Sequence, residues 1–254
     1  MEHEKLDKLP PGVIIKTLQL KNKYRVSIYM SIVKKSNITA TAPFYTIGEE
    51  IANSILHGIG TLGAITGLVL LSLKTNGLLS YKRAGGMDIA AAVLFASTMI
   101  GMFLISTLYH AIQHRGAKNI LRRLDHSVIF IFIAGTYTPH CLSGLRGAWG
   151  WSLFGAEWAL AFLGITLNIL DNKALKKVEV AAYIAMGWAI IVGFVPLLRS
   201  VPVKIIILLV AGGAAYTLGT IWYRMKSTRF THVIWHFFVI IGAVCHWFSV
   251  WYLH

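Results

Sequence analysis

Residues 231–253 read THVIWHFFVIIGAVCHWFSVWYL and contain no Asp, Glu, Lys or Arg. A helix needs about 20 predominantly apolar residues to cross the hydrocarbon core of a membrane, and this stretch is long enough. Two histidines, His232 and His236, lie four residues apart near its start. Because residues i and i+4 share one face of a helix, the stretch predicts a membrane span that carries two imidazoles side by side.

Six more apolar runs of similar length precede this one, and short polar breaks separate them. Together they predict an all-α polytopic membrane protein with seven transmembrane helices. Gly63 and Gly67 form a GxxxG pair in the first run, which is typical of close helix packing. The six further spans are Ile51–Leu73, Met87–Ile112, Leu124–Leu142, Trp151–Leu170, Val178–Leu198 and Val203–Tyr223.

The composition agrees with a membrane protein and argues against other classes. Only 13% of the residues are charged, whereas an average soluble domain has about 25%. The net charge of +14 does not indicate nucleic-acid binding, because the basic residues lie in short loops where lipid headgroups explain them. We therefore expect membrane lipids and no nucleic acid as partners, and a homo-oligomer stays open. The two cysteines, Cys141 and Cys245, form no CxxC pattern, which argues against a disulfide framework.

The loop charges predict the orientation of the chain. Of the 24 Lys and Arg residues, 18 lie in the N-terminal region and in the loops on its side, and six lie on the opposite side. The positive-inside rule then places the N-terminus in the cytoplasm and the C-terminus outside, as expected for a multi-pass protein of the plasma or inner membrane. Residues 1–44 are predicted to form a basic cytoplasmic tail without the apolar core of a cleavable signal peptide. Residues 45–254 form the membrane domain.

This orientation brings polar residues from four spans to one depth near the cytoplasmic side. Ionisable groups inside a membrane are costly, so they are functional candidates. The second span returns to the cytoplasm, whereas the first, third and seventh leave it. The residues expected to meet there are Glu49, Glu50, Asn53 and His57 of the first span, Ser106 and His110 of the second, Asp125 and His126 of the third, and His232 and His236 of the seventh.

The spacing of these residues predicts a zinc site. His232 and His236 share one helix face, and Ser106 and His110 share a face of another helix. Two histidines from one helix and His110 from a second could supply three imidazole ligands. Three protein ligands with an open fourth position are the pattern of catalytic zinc. Asp125 and Ser106 are then candidates to hold or activate a water molecule.

Several of these residues also have a simpler interpretation. A histidine in a single HxxxH can face lipid headgroups, or it can hydrogen-bond to a neighbouring helix. Glu49 and Glu50 stand at a helix N-terminus, where acids stabilise the helix dipole. The remaining groups are expected to lie outside the site: His246 is too deep, His140 and His254 are predicted to be interfacial, and Glu157 is an isolated intramembrane acid.

Four motifs follow one another along the chain: Glu49-Glu50-Ile-Ala-Asn53-Ser-Ile-Leu-His57, Ser106-Thr-Leu-Tyr-His110, Leu124-Asp125-His126 and His232-Val-Ile-Trp-His236. They closely resemble the hemolysin III family, which belongs with the adiponectin and progestin receptors in one seven-helix superfamily. The resemblance covers residues 45–254 and implies a zinc site whose ligands are the three motif histidines His110, His232 and His236. It also implies that Ser106 and Asp125 lie beside the water at that zinc. The superfamily includes alkaline ceramidases, so the implied chemistry is hydrolysis of lipid amides or esters.

The sequence leaves several functions open, since a shared site does not establish a shared substrate. The first is a zinc hydrolase acting on a lipid. The second is a cytolysin or channel, as the family name suggests, although polar residues gather mainly at one end of the spans. The third is a sensor or receptor that controls membrane lipid composition. A haem protein is a fourth and less well supported hypothesis, because a bis-histidine haem takes one histidine from each of two facing helices, and HxxxH does not specifically indicate this.

Overall fold

The structure, a computed structural model, describes residues 45–81, 83–225 and 227–254. The predicted tail, residues 1–44, lies outside them. The described residues contain no β-strand, and seven helical spans among them are long and apolar enough to cross a membrane. The predicted fold class is thereby confirmed. The helices are α1 (Ile47–Thr75), α2 (Gly86–Ala111), α3 (Arg115–Pro139, continued by a π-helical turn, His140–Leu145), α4 (Gly147–Ile169), α5 (Lys173–Gly187), α6 (Phe194–Ser200), α7 (Val203–Arg224) and α8 (Thr231–Leu253).

One end of the bundle collects the starts of α1, α3 and α8 and the end of α2. Side-chain contacts among Glu50, His110, Lys118 and His236 join the four helices there. We call this the inner end, because the loop charges predict that it faces the cytoplasm. The orientation itself stays a prediction.

Five helices begin earlier than the apolar runs predict, and the difference is largest for the third and fifth spans. The third span begins at Arg115 and the fifth at Lys173, within segments predicted to be polar breaks. His114 Nδ1 accepts a hydrogen bond from the backbone N–H of the third residue after it (3.3 Å), and Asn172 Oδ1 accepts two in the same way (2.9 and 3.0 Å). These caps satisfy backbone donors at the helix start, so charged turns continue the helix beyond the apolar stretch.

The fifth span is interrupted, although its sequence predicts a single run. α5 ends at Gly187, a 3₁₀ segment covers Ala189–Gly193, and α6 follows. Pro196 lacks an N–H and disturbs the turn before it, which accounts for a break at this point. The hydroxyl group of Tyr137 accepts a hydrogen bond from Ile190 N and donates one to Met186 O, both at 2.8 Å. A side chain of α3 thus satisfies backbone groups that the broken helix leaves unpaired.

Helices α1, α2, α3 and α8 share one apolar core. Its buried members include Leu71 of α1, Phe95 and Phe103 of α2, Phe132 of α3 and Val239 of α8. Close packing of these side chains holds the four helices in fixed register. The same four helices supply the polar groups of the inner end, so this core positions them.

The GxxxG pair of α1 behaves differently at its two positions. A Cβ atom on Gly67 would lie 2.6 Å from Trp247 Nε1, whereas a Cβ atom on Gly63 would meet nothing within 4 Å. The predicted close approach is therefore correct for Gly67 and wrong for Gly63, whose face of the helix is open.

Replacing Gly67 by alanine is expected to lower the free energy of unfolding by about 1–3 kcal/mol, because the added methyl group overpacks the contact with Trp247. The matched control is Gly63→Ala on the same helix, which meets no neighbour and should leave the free energy of unfolding unchanged or raise it by up to about 1 kcal/mol, because alanine favours a helix more than glycine. Unfolding of the detergent-purified variants measures the difference. Equal effects of the two substitutions would contradict the packing role of Gly67.

Candidate metal site

Three histidines meet at the inner end, one from the last turn of α2 and two from the first two turns of α8. The candidate ligand nitrogens of His110, His232 and His236 all lie within 4.8 Å of one another. The Nε2 atoms of His110 and His236 are 3.1 Å apart. These residues are 0%, 9% and 3% exposed, respectively. The fold therefore brings the three predicted ligands together in a group that could hold a metal ion.

The surroundings of these rings fit a metal ion. Glu50 Oε2 lies 2.7 Å from His110 Nδ1, and a carboxylate acceptor there places the ring proton on Nδ1 and the lone pair on Nε2. That lone pair faces His236 Nε2. Two nitrogen ligands of a tetrahedral zinc ion, each at 2.0–2.1 Å, are about 3.3 Å apart, which is close to the observed 3.1 Å.

The two acids at the start of α1 have separate partners. Glu49 forms a capping box with Thr46, and its other oxygen accepts a hydrogen bond from Phe230 N at 2.7 Å. Phe230 has a left-handed backbone (φ 61°) and immediately precedes α8. Helix capping is thus confirmed for Glu49. Glu50 also lies in the first turn of α1, and its carboxylate contacts His110 and Lys118, both at 2.7 Å.

Ser106 and Asp125 lie next to the histidine cluster. Ser106 is one turn before His110 on α2, and its buried hydroxyl group makes no hydrogen bond of ordinary length to the described residues. The half-buried carboxyl group of Asp125, from α3, lies near enough to interact with both Ser106 and His110. All five residues predicted for the site are therefore at one place, whereas the catalytic roles of these two stay predictions.

Asn53 and His57 lie one turn apart on α1, and His57 lies directly beside the cluster. Both are fully or almost fully buried, and neither the amide group nor the ring nitrogens have a hydrogen-bond partner among the described residues. The His57 ring lies 3.8 Å from the His236 ring, centre to centre. Buried polar groups are costly without a partner, so these side chains mark a place that suits water or a polar ligand atom.

Three tyrosines that were not predicted from the sequence lie around the histidines. Tyr45 stacks on His232 at 4.7 Å with a 22° angle between the rings. Tyr109 lies 4.7 Å from His110, and Tyr223 lies 5.9 Å from His232. Tyr109 directly precedes His110, and this adjacency is the only local feature of the sequence that could have predicted its position at the site. The other two approach from the start of the first span and the end of the sixth.

The remaining polar residues have other environments. His126 pairs with Glu179 of α5 at 3.0 Å. His140 is buried and bonded to Ser249 of α8 at 2.8 Å, so its ring faces the bundle interior, whereas its predicted depth near the outer face stays a prediction. Its Nδ1–H donates to Thr136 O at 2.9 Å, so both ring nitrogens have a buried partner. His246 stacks on a tyrosine of α7, outside the cluster, as predicted. Glu157 is fully buried, and neither carboxyl oxygen has a partner among the described residues.

Seven apolar spans with a buried three-histidine group near one end define a polytopic membrane protein with a candidate metal site. A comparison with protein families gives a more particular assignment. The family model described as "Haemolysin-III related" matches residues 45–247. The chain belongs to this family, and it is a multi-pass protein of the cell membrane. The resemblance seen in the sequence motifs is thereby confirmed.

Individual relatives agree with the family assignment. The chain is 40% identical over 206 residues to "Hemolysin-3 homolog" of Bacillus subtilis (strain 168), covering 81% of this chain and 94% of the relative. It is 38% identical over 204 residues to "Hemolysin-3" of Bacillus cereus, covering 80% and 91%. A more distant relative, "Monocyte to macrophage differentiation factor" of Homo sapiens, is 26% identical over 218 residues, covering 81% and 84%. No solved structure matches the chain.

Proposed function

We propose that this protein binds one zinc ion at the three-histidine site and hydrolyses an amide or ester bond of a membrane lipid. The observation that carries the proposal is the 3.1 Å approach of the Nε2 atoms of His110 and His236, with a His232 nitrogen within 4.8 Å. Imidazole nitrogen suits zinc, and three protein ligands with an open fourth position are the arrangement of catalytic zinc sites.

The protein residues divide into metal ligands and groups that handle protons. His110, His232 and His236 hold the ion, which supplies a Lewis acid and makes water more acidic when bound. Asp125 accepts a proton from the attacking water and returns it to the leaving group. Ser106 donates a hydrogen bond to the water or to the oxygen of the scissile carbonyl group.

The location of the site supports a lipid substrate. The cluster lies at the ends of helices long and apolar enough to span a membrane, where we expect lipid headgroups to meet the hydrocarbon core. The outer face of α1 beside it is apolar and more than half exposed at Ile51, Ile55 and Ile59, as expected for a surface in contact with acyl chains. We therefore propose membrane lipids as partners, and no nucleic acid.

A hydrolysis assay tests the proposal. Zinc-loaded protein in proteoliposomes is offered a lipid amide and a lipid ester with the same acyl chain, and the released fatty acid is measured by mass spectrometry. Release that stops when a chelator removes the metal would support the hydrolase. Bound zinc without release from either lipid would favour a non-enzymatic sensor or receptor.

Membrane lysis is the second candidate, because two relatives carry the name hemolysin. We expect wild-type protein in liposomes to release no more trapped dye than protein-free liposomes release. The reason is that bulky apolar side chains such as Phe95, Phe103 and Phe132 pack together below the site, which leaves little room for a water-filled path between these helices. Fluorescence of the released dye is the measurement. Leakage that persists in His236→Ala protein would instead indicate a pore that needs no zinc.

A further inference from the structure

Three charged or polar side chains from three helices form a buried chain behind the candidate metal site. Glu50 of α1 places Oε2 at 2.7 Å from His110 Nδ1 and Oε1 at 2.7 Å from Lys118 Nζ. The side chains of Glu50, His110 and Lys118 are 6%, 0% and 11% exposed. Each carboxylate oxygen thus has one short, shielded partner.

The contact with Glu50 sets the proton position of His110, which is a proposed metal ligand. A carboxylate at Nδ1 keeps the proton on that nitrogen, which leaves the Nε2 lone pair of His110 free to bind a metal. It also fixes the plane of the ring. Histidine ligands of metals generally have such a carboxylate or carbonyl partner on the other ring nitrogen.

We propose that Glu50 is a positioning residue of the metal site, which fixes the tautomer and orientation of His110, and that Lys118 holds Glu50 in place. The inference rests on the proposed metal binding and assigns roles to two residues that touch no substrate. Glu49 cannot replace its neighbour, because its oxygens are engaged by Thr46 and Phe230.

Lys118 lies where its ammonium group can hold the Glu50 carboxylate in place. Its ammonium group also donates to Tyr109 O at 3.1 Å and lies 5.0 Å from the centre of the Tyr109 ring. A buried carboxylate is stable only when it is paired and hydrogen-bonded. Without Lys118, the negative charge of Glu50 would face only a neutral imidazole, and its hold on His110 would weaken.

The test is the zinc affinity of Glu50→Gln protein, measured in detergent by competition with a chromogenic chelator after metal stripping and reloading. We expect affinity to fall 10- to 100-fold, the usual effect of removing such a partner. Lys118→Met should also lower the zinc affinity, but by a smaller factor. The matched control is Glu179→Gln, which alters a second carboxylate–histidine pair, with His126 30% and Glu179 10% exposed, and should leave zinc affinity unchanged.

A second readout separates positioning from general destabilisation. With cobalt in place of zinc, Glu50→Gln should shift the visible absorption bands, since they report ligand geometry, whereas Glu179→Gln should not. The metal-free forms of Glu50→Gln and Glu179→Gln should unfold at temperatures similar to each other. Unchanged zinc affinity in Glu50→Gln, with zinc bound by the wild type, overturns this inference alone. Absence of zinc from the wild type overturns the proposed function too. If Glu50→Gln does not fold, unchanged affinity in Lys118→Met overturns the inference.

Discussion

Replacing His236 by alanine is expected to reduce the zinc content from about one ion per chain to almost none, because one of three protein ligands is lost. His236 is the central histidine of the cluster. Its Nε2 atom lies 3.1 Å from that of His110, and its ring lies 4.4 Å from the His232 ring, centre to centre. Elemental analysis of protein purified in detergent without chelators gives the ratio directly.

His246→Ala is the matched control for this experiment. His246 is also a buried imidazole of α8, but it lies outside the histidine cluster and stacks on Tyr216. The control variant should keep its zinc. A His236→Ala protein that is folded and still carries a full equivalent of zinc would contradict the ligand assignment. Well-folded wild-type protein without zinc would return these histidines to a packing role.

Replacing Asp125 by asparagine is expected to reduce lipid hydrolysis by about 10²- to 10⁴-fold, the usual contribution of a general base, while zinc stays bound. Asparagine keeps the shape of the side chain but cannot accept a proton. The Asp125 carboxyl group lies near Ser106 and His110, where it could reach a water molecule at the site. Turnover and zinc content must be measured on the same preparation.

Asp88→Asn supplies the control at the opposite end of the bundle. Asp88 belongs to the first turn of α2, where it pairs with Arg146 at 3.2 Å. The same change there should leave both turnover and zinc content near the wild-type values. Normal turnover in Asp125→Asn would refute the role as base. Loss of zinc from that variant would make Asp125 a metal ligand instead.

The positions of the site residues are predictable because each signal lies within one helix. His232 and His236 are one turn apart, and so are Ser106 and His110. The loop charges then predict the orientation of each helix, and so the end of the bundle at which each pair lies. The family motifs point to the same residues, so two independent routes give one site.

The environment of each residue is harder to predict, because it depends on neighbouring helices. Glu49 and Glu50 are adjacent in a sequence that suits helix capping, yet only Glu49 caps. The side chains point about 100° apart on the helix, so one meets the start of α8 and the other meets His110. His140 is similar, since its partner Ser249 belongs to α8 and lies 109 residues away in the chain.

The sequence by itself determines that seven helices span the membrane and that His232 and His236 share a helix face. Both properties follow from length, hydropathy and spacing within one segment. Only the tertiary structure decides that His110 meets His236 across 126 residues and that Glu50 meets His110 across 60 residues. Such contacts depend on how the apolar faces of four helices pack, and this packing is a property of the whole bundle.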